Sequence, residues 1–382
     1  MDVMEVNENE VSKTEICGDF ERYTLARFIF LMFASSIALL GTFGNLLLVY
    51  IFLNRKYPNT PPTLYPTVLA ILDSLLCALY IMLFGIDAAI VYLHVESLFV
   101  LYHIYIVPAF VLSRITQFAI PYMLIFGTLE RLVWILEDKN AILKRMYSVR
   151  GHHITMCITL FCCITLRLPT AFATVVHEFP NCTDFFRSKS TGAAHWVFES
   201  DIYYFFDFHL LSIAQTFIPF FVLVAFNLII VRKLTKKRKR TDNRTSNEEE
   251  HNGALNVPTH LSQNSSGDVS PSFRLMTNPV RDAIYAMMII VTTYLISNSL
   301  HLILTILERS KSSLLRDPMD ANMASTFHTI FSDTVSFVYM FTSAIRVIIY
   351  CICDPTTRND VKRMITRRQQ ENKKSLLVPA YV

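Results

Sequence analysis

The sequence predicts an all-α protein: a bundle of seven transmembrane helices with a short amphipathic helix after the seventh span. Three observations carry this. Apolar residues make up 52% of the 382 residues and charged ones only 17%, with a mean hydropathy of +0.37, far too hydrophobic for an ordinary soluble chain of this length. Seven mostly apolar runs, 26–53, 65–92, 99–135, 153–176, 205–231, 283–307 and 326–353, are long enough to cross a bilayer, which takes about 20 residues for about 30 Å of hydrocarbon. Lys and Arg, finally, collect in alternate connections, as they do in short loops held on the cytoplasmic side.

The chain accordingly divides into an acidic extracellular tail over 1–25, a seven-span domain over 26–353 and a cytoplasmic helix and tail over 354–382. In the N-terminal stretch Asp2, Glu5, Glu8, Glu10, Glu15, Asp19 and Glu21 outweigh Lys13, Arg22 and Arg27. The bases sit in Arg55-Lys56, in Lys139, Lys144, Arg145 and Arg150, in the run from Arg232 to Arg240, and in the tail from Arg358 to Lys374. The N-terminus is therefore expected outside and the C-terminus inside a plasma membrane. The acidic start lacks the basic n-region of a cleavable signal peptide. The net charge of +4 belongs to membrane-facing loops and calls for no nucleic acid.

Polar residues inside the spans are the candidates for function, because a charge at the bilayer centre costs about 2.5–3.5 kcal/mol. The first span carries Gly44-Asn45 and the second Asp73; both polar groups must face the bundle interior. Pro61-Pro62 marks the loop between these spans. The third span carries Ser113, Arg114, Gln117 and Pro121, then Glu130-Arg131 where hydrocarbon gives way to water. Arg114 and Gln117 project from one helix face and read as the wall of an outward-opening pocket, or as an Arg snorkelling to lipid phosphates. Arg167 and Pro169 lie near the outer end of the fourth span.

The outer loop over about 177–204 holds Asn181-Cys182-Thr183, a glycosylation sequon at Asn181. With Glu178, Asp184, Glu199, Asp201, Tyr203, Tyr204 and Asp207, it suits a cationic, partly aromatic ligand or is simply a solvated acidic loop. Only Cys17 and Cys182 face the oxidising side; they pair, or they are free or intermolecular thiols. Pro219 interrupts the fifth span and Asn227 lies further in. The long third inner loop, about 232–282, is expected to be disordered over 241–279, with phosphorylation at sites such as Thr241. The sixth span is polar for its depth, with Ser297, Asn298, Ser299 and His301, and the seventh carries Asp333, Arg346 and Tyr350. Asp354-Pro355 starts the amphipathic helix, about 356–368, and Cys351 and Cys353 are palmitoylation sites or ordinary span-end cysteines.

Gly44-Asn45, Leu69-Ala70 with Asp73, Glu130-Arg131-Leu132, Pro219 and Tyr350, in that order and at those depths, resemble the motifs of rhodopsin-like (class A) G-protein-coupled receptors over about 25–365. Within that class the chain is most similar to invertebrate, especially nematode, FMRFamide-type neuropeptide receptors. The resemblance implies a receptor without catalysis or cofactor, with a G-protein switch of Glu130, Arg131, Asn227 and Tyr350, and an intramembrane polar core of Asn45, Asp73 and Arg346. It implies a ligand pocket drawn from Asp87, Ser113, Arg114, Gln117, Asp207, Asn298 and Asp333. Its partners would be an extracellular peptide, a heterotrimeric G protein, the bilayer, arrestin and kinases. Ser113 stands where an amine receptor carries an Asp, which points away from biogenic amines.

Departures from the family pattern are equally informative. The Cys usual at the outer end of the third span is Ile106 here, so Cys182 lacks its usual partner and Cys17 becomes the alternative. The Cys-Trp-Leu-Pro motif of the sixth span reads Ser297-Asn298-Ser299-Leu300, the Trp of the fourth span is absent, and Asn-Pro-x-x-Tyr reads Arg346-Val347-Ile348-Ile349-Tyr350. Where the family binds sodium beside the second-span Asp, Ile120 and Arg346 replace two of the polar groups, so Arg346, whose guanidinium is capable of bidentate contact, is expected to pair with Asp73 in place of the ion. A heptahelical transporter or intramembrane enzyme is the rival reading; His103, His301 and His328 lie on different spans without zinc-ligand spacing, and no internal repeat is visible.

Overall fold

The computed structural model describes residues 17–18, 24–55, 63–136, 148–252, 278–310, 313–315 and 325–376. Pro61-Pro62, Lys56, Lys139, Lys144, Arg145 and most of the acidic tail lie outside the described residues, as does 253–277 of the third inner loop. Among the described residues, seven helices are long and apolar enough to cross a membrane. We label them α1 (Leu25–Leu53), α2 (Leu64–Leu93), α3 (Glu96–Leu136), α4 (Val149–Arg167), α5 (Asp201–Lys236), α6 (Asn278–Arg309) and α7 (Thr326–Cys353). A further helix, α8 (Pro355–Leu376), follows α7. The bundle has an N-terminal face, carrying Cys17 and the α4–α5 connection, and a C-terminal face, carrying α8.

Two local expectations are corrected. The connection after α4 is not irregular: Thr174–Glu178 (β1) and Lys189–Ala193 (β2) pair antiparallel, Thr174 opposite Ala193 and Glu178 opposite Lys189. Val175 and Val176, counted by hydropathy into the fourth span, are β-branched residues that leave the helix at Ala173 and enter a strand. The helix continuing α5 runs on to Asn252, so the disorder expected from 241 does not begin there; the Lys-, Arg- and Glu-rich sequence is made of good helix formers.

The hairpin lies on the start of α3, with Phe99 packed against Phe185 and Phe186 at 5.3 and 5.5 Å. Cys17 is disulfide-bonded to Cys182, and Gly18 donates its N–H to the Arg187 carbonyl while the Arg187 Nε donates back to the Gly18 carbonyl. The Lys189 ammonium beside Glu178 holds that carboxyl below the usual carboxylate range. The N-terminal segment is thus pinned to the hairpin. At the opposite face Arg55 binds Asp354 at 3.2 Å, Thr357 at 2.6 Å and Asp360 at 3.4 Å, fastening α8 beneath α1.

Within hydrocarbon, a backbone carbonyl released from its helix needs a new donor. At irregular turns of three helices, tyrosines donate to the backbone of a neighbouring helix. Pro121 has no N–H for the Gln117 carbonyl, which accepts from the Tyr339 hydroxyl at 3.3 Å instead. In α5 the turn Ile213–Phe217 is a π-helix, in which the Ala214 carbonyl falls opposite Pro219 and accepts from Tyr122 at 2.9 Å. In α2 the Met82 and Leu83 carbonyls of the π-helical Ile81–Gly85 accept from Tyr105 at 3.0 Å and Tyr102 at 3.4 Å. Tyr122→Phe and Tyr339→Phe should each lower the stability of the membrane-extracted protein by about 1–3 kcal/mol, the cost of leaving a buried carbonyl unsatisfied. Tyr50→Phe, at an exposed position, should leave the thermal inactivation curve in place.

Candidate functional site

The deepest polar group is built by three helices. Gly41 and Gly44 let α1 approach α7 so closely that a Cβ on Gly41 would meet the Ala344 Cα at 2.9 Å, and one on Gly44 the Val347 Cγ1 at 2.9 Å. Asn45, fully buried at that contact, donates to the Gly41 and Ser343 carbonyls at 2.9 and 3.0 Å. The α7 helix is interrupted at Ile345, and the next residue, Arg346, turns inward to Asp73 of α2. One nitrogen, Nη1, reaches both carboxylate oxygens, at 2.6 and 2.5 Å, and the Ser343 side chain also hydrogen-bonds to Asp73. The expected pair thus forms through a single nitrogen, and Nε has no hydrogen-bond partner among the described residues. Asp73 is 0% exposed and Arg346 1%.

At the C-terminal end of α3, Glu130 and Arg131 are buried, 1% and 4% exposed. Arg131 acts electrostatically on Glu130, and on Tyr350 from α7. Glu130 has a further neighbour: the His152 Nε2 of α4 stands 3.3 Å from Glu130 Oε1, with Tyr65 of α2 edge-on to the His152 ring at 5.4 Å. Sequence reasoning missed His152, since Arg150-Gly151-His152-His153 reads as an interfacial helix start. Around this group the face is closed. Leu132 packs with Ile230 of α5 and Ile284 of α6, and a Cβ on Gly127 would meet the Met287 Cε at 2.7 Å. Asn227 of α5 donates to Thr292 of α6 at 3.3 Å, a tie between the two helices.

The residues proposed to line a ligand pocket separate into two groups. Asp333 is salt-bridged to Arg27 at 2.7 Å, closing α7 onto α1, and Asp87 lies beside Tyr102 and Tyr105 where α2 meets α3. The second group lies between α3, α5 and α6. Arg114 feels Asp207, Glu308 and Tyr203 electrostatically, and His301 feels Arg114. One turn deeper are Gln117, which donates to Ser113 Oγ at 3.2 Å, and the buried Asn298. Arg167 of α4 completes the wall: it salt-bridges Asp207 at 3.2 Å, bonds Gln215 and lies over Phe118 at 5.4 Å. Its Arg-Leu-Pro context at a span end was the sequence signal for it. Asn181 is exposed in the turn of the hairpin.

Seven apolar helices with a buried Glu-Arg pair closing the third, a polar core across α1, α2 and α7, and polar side chains of α3, α4, α5 and α6 near the other end fit a serpentine receptor. The family model "Serpentine type 7TM GPCR chemoreceptor Srx" matches residues 36–278, and the chain belongs to this family, a multi-pass membrane protein of the G-protein-coupled receptor type. No curated protein matches the chain.

Truncating one member of the Asp73–Arg346 pair leaves a buried charge alone, which costs about 3–5 kcal/mol. Asp73→Leu and Arg346→Met should each sharply reduce folded receptor at the cell surface. The double variant should recover a large part of the loss in the same flow-cytometry measurement, since it removes both charges together.

Proposed function

We propose that this chain is a plasma-membrane receptor with its N-terminal face outside and its C-terminal face presented to a heterotrimeric G protein. The observation that carries the reading is the closed arrangement at the end of α3. Arg131 is held in a buried pocket with Glu130 and His152 nearby, behind packed α5 and α6. A ligand that binds more tightly to a state in which α5 and α6 part would break the Asn227–Thr292 tie and expose Arg131, a population shift driven by differential affinity. Arrestin and kinases would read the same opened face and its adjoining loop and tail.

The ligand we propose is an extracellular peptide, in keeping with the resemblance to rhodopsin-like and FMRFamide-type receptors. The support is the hairpin surface, where Glu178, Glu199 and Asp201 accompany Trp196 and Tyr203, whose rings meet edge-on at 4.9 Å. Such a surface offers a peptide several side-chain contacts beyond the pocket. The family's description as chemoreceptors favours a second reading, a small chemical cue that enters the pocket alone. The exposed sequon at Asn181 supports a glycosylated outer loop.

Nucleotide exchange on a promiscuous G protein, with the receptor challenged by a peptide library and by a panel of small metabolites, tests both readings. An agonist from either set should drive exchange that Arg131→Ala reduces to background. Glu130→Gln should raise exchange without agonist, because it removes the charge that attracts Arg131 into its closed position. Exchange undiminished in Arg131→Ala would contradict the mechanism.

A further inference from the structure

Several charges near the N-terminal face have partners among the described residues. Asp333 has Arg27, Glu178 has Lys189, Glu308 has His328 at 3.4 Å, and Asp207 has Arg167. Arg114 differs. It is half-buried, its guanidinium lies over the Phe110 ring at 4.9 Å, and among the described residues it makes neither a hydrogen bond nor an ion pair. A guanidinium carries five donors and no acceptor, so Arg114 offers an unfilled fork to the pocket.

A second observation is independent of it. Asn298 of α6 is only 3% exposed, yet its Nδ2 donates to nothing among the described residues. It lies one helical turn deeper than His301, which senses Arg114 across the pocket. Gln117 lies one turn deeper than Arg114 on α3. Unused donors therefore come from two helices at neighbouring depths, and the nearby acids Asp207 and Glu308 are already in contact with Arg167 and His328.

We infer that this pocket takes the carboxylate of its ligand, with Arg114 as the ionic partner and the Asn298 amide as a second donor. The biological use of the subsite rests on the receptor reading. A singly charged carboxylate fits better than a phosphate, because one unpaired guanidinium and a neutral amide meet one negative charge, while Asp207 and Glu308 would repel a second. The carboxylate can come from the C-terminus of a peptide or from a small organic acid, and Phe110 and Tyr203 supply aromatic surface for the body of either.

The test is thermal stability of the detergent-extracted full chain with benzoate against benzamide at matched ionic strength, two compounds of one shape and different charge. Benzoate should raise the melting temperature and benzamide should not. Arg114→Gln and Asn298→Asp should both abolish the benzoate shift, and Arg114→Lys, which keeps the charge, should retain part of it. An N-acetylated aromatic dipeptide, as free acid and as amide, separates the sources. A larger shift from the dipeptide acid than from benzoate assigns a peptide terminus; an equal or smaller one assigns a small organic acid. Equal shifts from benzoate and benzamide, no shift from either, or a benzoate shift that survives Arg114→Gln would overturn the inference. Because this readout needs no G protein, a benzoate shift in a chain that fails nucleotide exchange would keep the subsite and discard the receptor reading.

Discussion

Inside hydrocarbon no bulk water is available to finish a polar group, so each must be finished by another part of the chain, and much of this bundle's architecture answers that constraint. Asp73 and Arg346 are the extreme case. Either alone would be costly at that depth; together, with the Ser343 side chain, they pair between α2 and α7, with the Arg346 Nε left without a hydrogen bond among the described residues. The interruption at Ile345 and the close approach allowed by Gly41 and Gly44 set the position of Arg346, so backbone geometry and charge pairing depend on one another.

The same constraint explains the tyrosines. Pro121 and Pro219 leave carbonyls without a helical donor, and Tyr339, Tyr122, Tyr105 and Tyr102 each donate to a helix other than their own. Each contact couples a local irregularity to a neighbouring helix. Tyr122 and Tyr339 join α3 to α5 and α7 between the depth of the pocket and the depth of Glu130-Arg131, through packed structure that contains no Trp on α6. A receptor lacking the usual proline kink and aromatic in its sixth span still has physical connections between its two ends, carried on α3.

The spans were legible because a run of some 20 apolar residues leaves a chain few alternatives. Asp73 and Arg346 were legible for a related reason, since a charge so deep demands a partner and few were on offer. The hairpin was hidden because Val175 and Val176 extend the apolar run of the fourth span, and hydropathy does not distinguish a strand from the last turn of a helix. The π-helical turns could not be read from their own residues, because the donors that permit them lie on other helices. His152 escaped for the opposite reason: its surroundings are polar enough to look solvated, while the fold places it against Glu130. Asp333 reads as a ligand contact from sequence, whereas the structure pairs it with Arg27 at the start of the first span.

The claim that the core is closed by its own ion pair is tested most directly by titrating sodium, at constant ionic strength against choline, while following the thermal stability of the extracted receptor. With Arg346 in place of the ion, the wild-type curves should superimpose at all sodium concentrations. A sodium-dependent stabilisation that disappears in Asp73→Asn would show that an ion, and not Arg346, completes the site.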